Sequence, residues 1–210
     1  PSEGAKANTT DPDSRIMKTR QGYVQGYNVQ AVVSEDQIIV AIGVTQEAND
    51  VQQLEPMLQT MGHTLEAAGI EERPRVGLGD AGYWSEANIN ACSVPEMPEL
   101  LVATTKDWKQ RKLLRERGCP RGRIPKGLSP RERMERKLLT KRGRALYKKR
   151  GVLVEPVLGQ VKEGQGFRRF MRRGLEAAQS EWCLVGMTHN LLKLWRSGQA
   201  PWGWATAQWN

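Results

Sequence analysis

Two alternating runs joined by a short polar turn restrict the fold of this chain more than any other feature. Tyr27, Val29, Ala31 and Val33 fall on one side of the first run and Asn28 and Gln30 on the other; after Ser34-Glu35-Asp36 a second run, QIIVAIGVTQ, extends from Gln37 to Gln46. Apolar residues at a period of two in successive runs read as a β-hairpin. The period then changes, with Leu54, Met57, Leu58, Met61 and Leu65 at helical spacing to about Ala68. Pro56 belongs in the first turn of that helix, where a missing N–H costs nothing. Asp50 reads first as the N-cap of the helix; a metal ligand at a strand end is the competing reading.

A second apolar run, Arg75-Val76-Gly77-Leu78-Gly79-Asp80, lies between Pro74 and the Ala81-Gly82 turn and ends on an aspartate. It reads as a buried strand, followed by a helix capped by Ser85 and a further strand at Glu99 to Thr104. The coarse order is β-β-α-β-α-β, an α/β chain. Beyond it Gly118, Pro120, Gly122, Pro125, Gly127 and Pro130 argue against a second core, while Ser129 with Pro130 marks a helix to about Lys141. A final amphipathic helix spans about Leu175 to Trp195. Residues 1 to 21 hold turn formers and no apolar period, and Asp11 and Asp13 flank Pro12 as turn residues, so this stretch is expected to be a mobile arm. The expected organisation is this arm, one domain over 22–196 with a basic insertion at 105–145, and a frayed tail at 197–210.

Charge is distributed unevenly. The formal net charge is +9, yet 19 Lys or Arg and only 4 acids lie between Lys106 and Arg150, against 13 bases and 19 acids elsewhere. A concentrated cationic segment is the footprint of a polyanion, because each neutralised phosphate releases counterions. A solvated loop and an anionic membrane surface are the alternatives. Nucleic acid fits best, since the segment leads directly into a stretch that carries a carboxylate. Three widely spaced cysteines, Cys92, Cys119 and Cys183, form neither a disulfide framework nor a CxxC site, and no apolar run reaches the length of a membrane span. The expected compartment is a reducing cytoplasm.

Asp80, at the carboxyl end of a predicted strand, sits where α/β sheets commonly expose active groups; its competing reading is a turn residue. Glu155 lies 75 residues further on, after elements able to return the chain to the same crevice. Carboxylates are the ligands suited to Mg²⁺ or Mn²⁺, and such ions support in-line phosphoryl displacement. Around Glu155 the spacing is Tyr147-x2-Arg150-x4-Glu155-x6-Lys162, which on a helix puts Glu155 and Lys162 about two turns apart on one face.

That spacing resembles the Y-R-E-K signature of DDE-type insertion-sequence transposases, with one residue more between Arg and Glu. GDAGYWSEAN resembles the second-aspartate block of that family, and GYNVQAVVSEDQIIVAIGVTQEANDVQQLEPML the hairpin and helix before it. The resemblance implies an RNase H-like α/β fold with a basic insertion before the glutamate-bearing helix. It implies Asp80 and Glu155 as catalytic metal ligands for Mg²⁺ or Mn²⁺, and Tyr147, Arg150 and Lys162 as DNA-contacting or supporting residues. Arg168, Arg169, Arg172 and Arg173 would add phosphate contacts, with a solvated helix face as the competing reading. Its partners would be double-stranded DNA, as element ends and target, and a second copy of the chain on that DNA, in the bacterial cytoplasm at the nucleoid. The family's first aspartate stands on a strand before the hairpin; no such strand is expected in residues 1 to 21, so the fold is expected to lack its first strand, that strand lying upstream. A non-catalytic basic DNA-binding remnant is the alternative function.

Overall fold

The computed structural model describes residues 8–19, 22–116 and 118–198. Its described strands are β1 (Arg15–Thr19), β2 (Gly22–Gly26), β3 (Asn28–Val33), β4 (Ile39–Thr45), β5 (Val76–Gly79) and β6 (Glu99–Val102). The described helices are α1 (Leu54–Ala67), α2 (Glu86–Ala91), α3 (Trp108–Glu116), α4 (Pro130–Leu139), α5 (Lys141–Gly159) and α6 (Leu175–Ser197). The fold is therefore mixed α/β. Three two-stranded ladders are formed: β1 and β2 antiparallel, β3 and β4 antiparallel, and β5 and β6 parallel.

The hairpin falls where the alternation places it, with Asn28 opposite Thr45 and Ala31 opposite Ile42. Both of its faces are covered, which the alternation did not indicate. On one side Val32, Val40 and Ala41 pack with Leu54, Met57, Leu58 and Met61 of α1, a cluster that continues to Leu100 and Val102 of β6. On the other, Ala31, Ile42 and Val44 pack with Trp182 and Val185 of α6 and Val161 beyond α5. Gln30, expected on a polar face, is consequently 3% exposed.

Helix α6 also closes the free edge of β4. Gln179 Oε1 accepts from Val44 N at 2.7 Å, while Asn190 Oδ1 accepts from Ile39 N and its Nδ2 donates to Ile39 O, each at 2.8 Å. The match is geometric: eleven helical residues at 1.5 Å rise cover about 16.5 Å, as do five strand residues at about 3.3 Å. An edge so covered cannot recruit another strand.

Residues 8–19 depart from the expected mobile arm. β1 pairs with β2 through five residues, from Arg15 opposite Gly26 to Thr19 opposite Gly22. Asp11 and Asp13 do more than turn the chain: Asp11 Oδ1 accepts from Gly174 N at 3.2 Å and Asp13 Oδ2 from Leu175 N at 3.0 Å. Those N–H groups open α6 and have no intrahelical acceptor, so two carboxylates there suit both hydrogen bonding and the helix dipole. Residues 1–7 of the expected arm, and 199–210 of the expected tail, lie outside the described residues.

The basic segment is largely helical. Ser129 caps α4 with Pro130 at its first position, and a reciprocal bond from Glu132 completes a capping box. Thr140 ends α4 and caps α5, accepting from Gly143 N at 2.9 Å. Only glycine fits position 143, because a Cβ there would overlap the Lys137 carbonyl oxygen. α3, which precedes the Pro- and Gly-rich stretch, was not expected in the basic segment.

Candidate active site

Asp80 follows the last residue of β5, and its position is set by the turn beyond it. Asp80 Oδ1 accepts from Gly82 N at 2.6 Å, an Asx turn that aims the carboxylate out of the sheet end. Gly82 has a second role. A Cβ at that position would lie 2.6 Å from Asp50 Oδ2 and 2.8 Å from Asp80 Oδ1, so the absence of a side chain lets two carboxylates converge.

Asp50 is not the cap predicted from the sequence. It opens a 3₁₀ turn, Asp50–Gln53, ahead of α1, and the capping position belongs to Asn49, which makes no side-chain cap bond. Instead Asp50 Oδ1 accepts from Asn28 Nδ2 at 2.7 Å and Gln30 Nε2 at 2.8 Å. Gln30 Oε1 in turn accepts from the Tyr83 hydroxyl, and Gln30 O from Trp182 Nε1 at 3.0 Å. Burial, then the nearby Asp50 and Asp80 charges, push the Tyr83 phenol well above its ordinary pKa, so it remains a donor. The polar residues of β3 thus hold an acid network behind Asp80. Their position within an apolar strand was the one sequence signal for it.

Glu155 stands in the last third of α5, followed by Pro156. The proline neither starts nor ends the helix, which continues through Gly159 into a π-helical turn at Gln160–Gly164. A proline at 156 cannot bond to the carbonyl of residue 152, and that carbonyl accepts instead from Gln37 Nε2 at 3.0 Å. The hairpin turn therefore satisfies the break in α5. Glu155 keeps 67% of its side chain exposed and pairs with Arg150 at 3.5 Å. Lys162 lies on the π-helical turn rather than on a continuous α-helix.

Asp80 and Glu155 line one cleft of about 430 Å³. Its walls are Val29 and Ala31 of β3, Leu78 of β5, and Val154 and Leu158 of α5; Arg150, Lys162, Arg168 and Arg169 add cations at its rim. Arg168 is also paired with Glu163 at 2.5 Å. Arg172 and Arg173 are exposed and do not line the cleft. The segment bearing the four arginines is irregular, not a helix face, and is fastened to α6 by Glu181, which accepts from Met171 N at 2.9 Å and Arg172 N at 3.1 Å. Tyr147 turns away from the cleft: its hydroxyl donates to Gly79 O at 3.0 Å, bracing α5 against the end of β5. Burial raises the Tyr147 pKa, with Arg150 opposing.

Two oxygen-donor side chains facing one cleft fit a hard divalent cation, although no group of three or more His, Cys, Asp or Glu suited to a metal occurs among the described residues.

Residues 123–195 match the family model of the transposase DDE domain. The matched segment runs from the approach to α4 through most of α6. It contains Glu155, Lys162 and the arginine segment, whereas Asp80 and the hairpin lie outside it. Neither the curated proteins nor the solved structures compared with the chain include a match. The match to a transposase DDE segment agrees with the resemblance carried by Tyr147, Arg150, Glu155 and Lys162. The match suggests a transposase-related function; that family as a whole implies DNA as a partner and generally uses divalent metals. Among the described residues no helix is long and apolar enough to cross a membrane.

Proposed function

We propose that this chain is the metal-dependent catalytic part of a DNA transposase, with Asp80 and Glu155 as the carboxylates that hold Mg²⁺ or Mn²⁺. The observation that carries this reading is the shared cleft: two acids 75 residues apart in sequence line one opening together with Arg150, Lys162, Arg168 and Arg169. Bound there, a divalent ion would supply Lewis-acid activation for phosphodiester cleavage and strand transfer at element ends. The chain's own groups bind and orient. Arg150, Lys162, Arg168 and Arg169 contact phosphates beside the scissile bond, and the basic helices α3 and α4 grip flanking duplex. Arg172 and Arg173, exposed beyond the rim, contact DNA further out.

We infer an RNase H-like fold. Among the described residues β3 pairs only with β4 and β5 only with β6, while residues of β3 and β5 both line the cleft. One further strand between them would merge the ladders and bring a third carboxylate beside Asp80. Residues 22–196 would then be one catalytic domain, with the basic insertion at 105–145, acting as a homodimer on DNA.

With two such acids, residues 1 to 210 bind DNA but cut and join it poorly. Efficient Mg²⁺-dependent strand cleavage by this chain would contradict that expectation. The lack of a third ligand among the described residues favours a second reading, a non-catalytic DNA-binding remnant. Divalent-ion affinity separates the two: loss with Asp80→Asn or Glu155→Gln supports the catalytic reading, and indifference to both substitutions supports the remnant.

A further inference from the structure

Helix α5 lines two cavities in succession. Its second half borders the carboxylate cleft, and its first half borders a cavity of about 520 Å³ that α3, α4 and the end of β6 complete. Arg111, Arg115, Arg144, Lys148 and Arg150 line this second cavity, against a single acid, Glu135. That acid is already engaged, accepting from Arg131 at 3.1 Å and Thr104 at 2.9 Å. Among the described residues Arg111, Arg115, Arg144 and Lys148 have no carboxylate partner. Leu114, Leu138 and Leu139 give the same cavity an apolar surface.

Four uncompensated cations around a concave apolar floor select a ligand that is both anionic and partly apolar. A duplex presents phosphates on a convex surface and keeps its bases stacked inside, so it can cover the mouth of such a cavity but cannot fill it. An unpaired nucleotide offers a phosphate and a base edge and face together. Position along α5 supports the same ligand. Arg150 lines both cavities, and Lys148 and Glu155 are seven residues apart, a helical rise of about 10 Å. That distance is roughly three nucleotides at the 3.4 Å spacing of a duplex strand.

We propose that this cavity receives an unpaired stretch of the DNA strand whose backbone crosses Glu155, about three nucleotides from the bond over the carboxylates. Its phosphates rest on Arg111, Arg115 and Lys148 and a base lies against Leu114, Leu138 and Leu139. The proposal rests on the transposase reading for the placement of the strand, but its test needs no catalysis.

The full chain is titrated, without divalent ions, against a labelled blunt duplex and the same duplex with a four-nucleotide unpaired extension, at several salt concentrations. The wild type is expected to prefer the extended DNA by about tenfold. The variant Arg111→Gln/Arg115→Gln/Lys148→Gln is expected to lose that preference and about two units of salt slope on extended DNA, from about 0.7 per single-strand contact. Its affinity for blunt duplex falls too, since α3 also grips duplex, but several-fold less than its affinity for the extended DNA. A control with equal charge loss outside the cavity, Lys112→Gln/Arg121→Gln/Arg123→Gln, weakens both DNAs alike. No preference in the wild type, or equal losses on both DNAs in the cavity variant, overturns the proposal. Failure of the carboxylate reading would appear separately, as absent divalent-ion affinity with these DNA preferences intact.

Discussion

The two walls of the carboxylate cleft are built differently. On the sheet side, Asp80 is held by the Gly82 amide, and Asp50 beside it is held by Asn28 and Gln30, which reach onward to Tyr83 and Trp182. On the helix side, Glu155 pairs among the described residues with Arg150 alone, at 3.5 Å, and stands next to a proline and a π-helical turn. A supporting shell of hydrogen bonds fixes a ligand before an ion arrives, whereas an exposed glutamate must be ordered by it. In the proposed site the sheet wall would be a preset half and the helix wall an adjustable one.

Substitutions can break this contrast, the most severe at the residue joining the walls. Trp182 is 2% exposed, and its Nε1 donates to Gln30 O. Trp182→Ala should cost about 3–5 kcal/mol, measured by denaturant unfolding, because it empties the cluster behind both walls. Asp50→Ala leaves Gln30 Nε2 without its acceptor and Asn28 Nδ2 with Glu47 O alone, and should cost about 2–3 kcal/mol; a loss under about 0.5 kcal/mol would mean that the network is not what holds the sheet wall. Gly82→Ala should leave the fold intact and weaken divalent-ion binding roughly 10–100-fold, since the new Cβ displaces the two aspartates; calorimetric titration with Mn²⁺ reads this directly.

The alkaline limb of stability tests the same wall. Tyr83 binds its proton more tightly in the folded state than at its ordinary value of 10.0, because of burial and of Asp50 and Asp80. Tyr27, pushed up to about 12 by partial burial and its bond to Asp11, acts in the same sense. For a raised folded-state pKa the stabilisation is complete below pH about 10 and is lost as pH rises above it. Tyr83→Phe should flatten that decline, and an unchanged slope would remove Tyr83 from the account. The smallest effect is expected on the helix wall. Pro156→Ala should change stability by less than about 1 kcal/mol, because Gln37 already satisfies the carbonyl of Val152, and the effect should couple with Gln37→Ala in a double-mutant cycle.

Local signals gave the elements and missed the contacts. The hairpin, α1 with Pro56 in its first turn, and the Ser85 and Ser129 caps follow from period and capping chemistry, which act within a few residues. Asp50 was misread because its partners, Asn28 and Gln30, lie 22 and 20 residues away, and no local pattern reports them. The arm was misread for the same reason: Asp11 and Asp13 are fixed by Gly174 and Leu175, more than 160 positions along the chain. α3 escaped because the glycines and prolines from Gly118 onward mark the basic segment as irregular, while the nine residues of α3 before them contain neither. Asp80 and Glu155 stand out in the sequence as candidate carboxylates, through strand-end position and spacing; that they line one cleft is a tertiary fact.

Asp80 and Glu155 are proposed to serve one ion. Bound Fe²⁺, supplied with ascorbate and peroxide, cuts the polypeptide within a few ångströms of its site, and the fragments can be mapped by mass spectrometry. Paired cuts are expected around residues 78–83 and 152–158, both lost in Asp80→Asn and both lost in Glu155→Gln. Cuts at one segment alone, or paired cuts that survive either substitution, would contradict it.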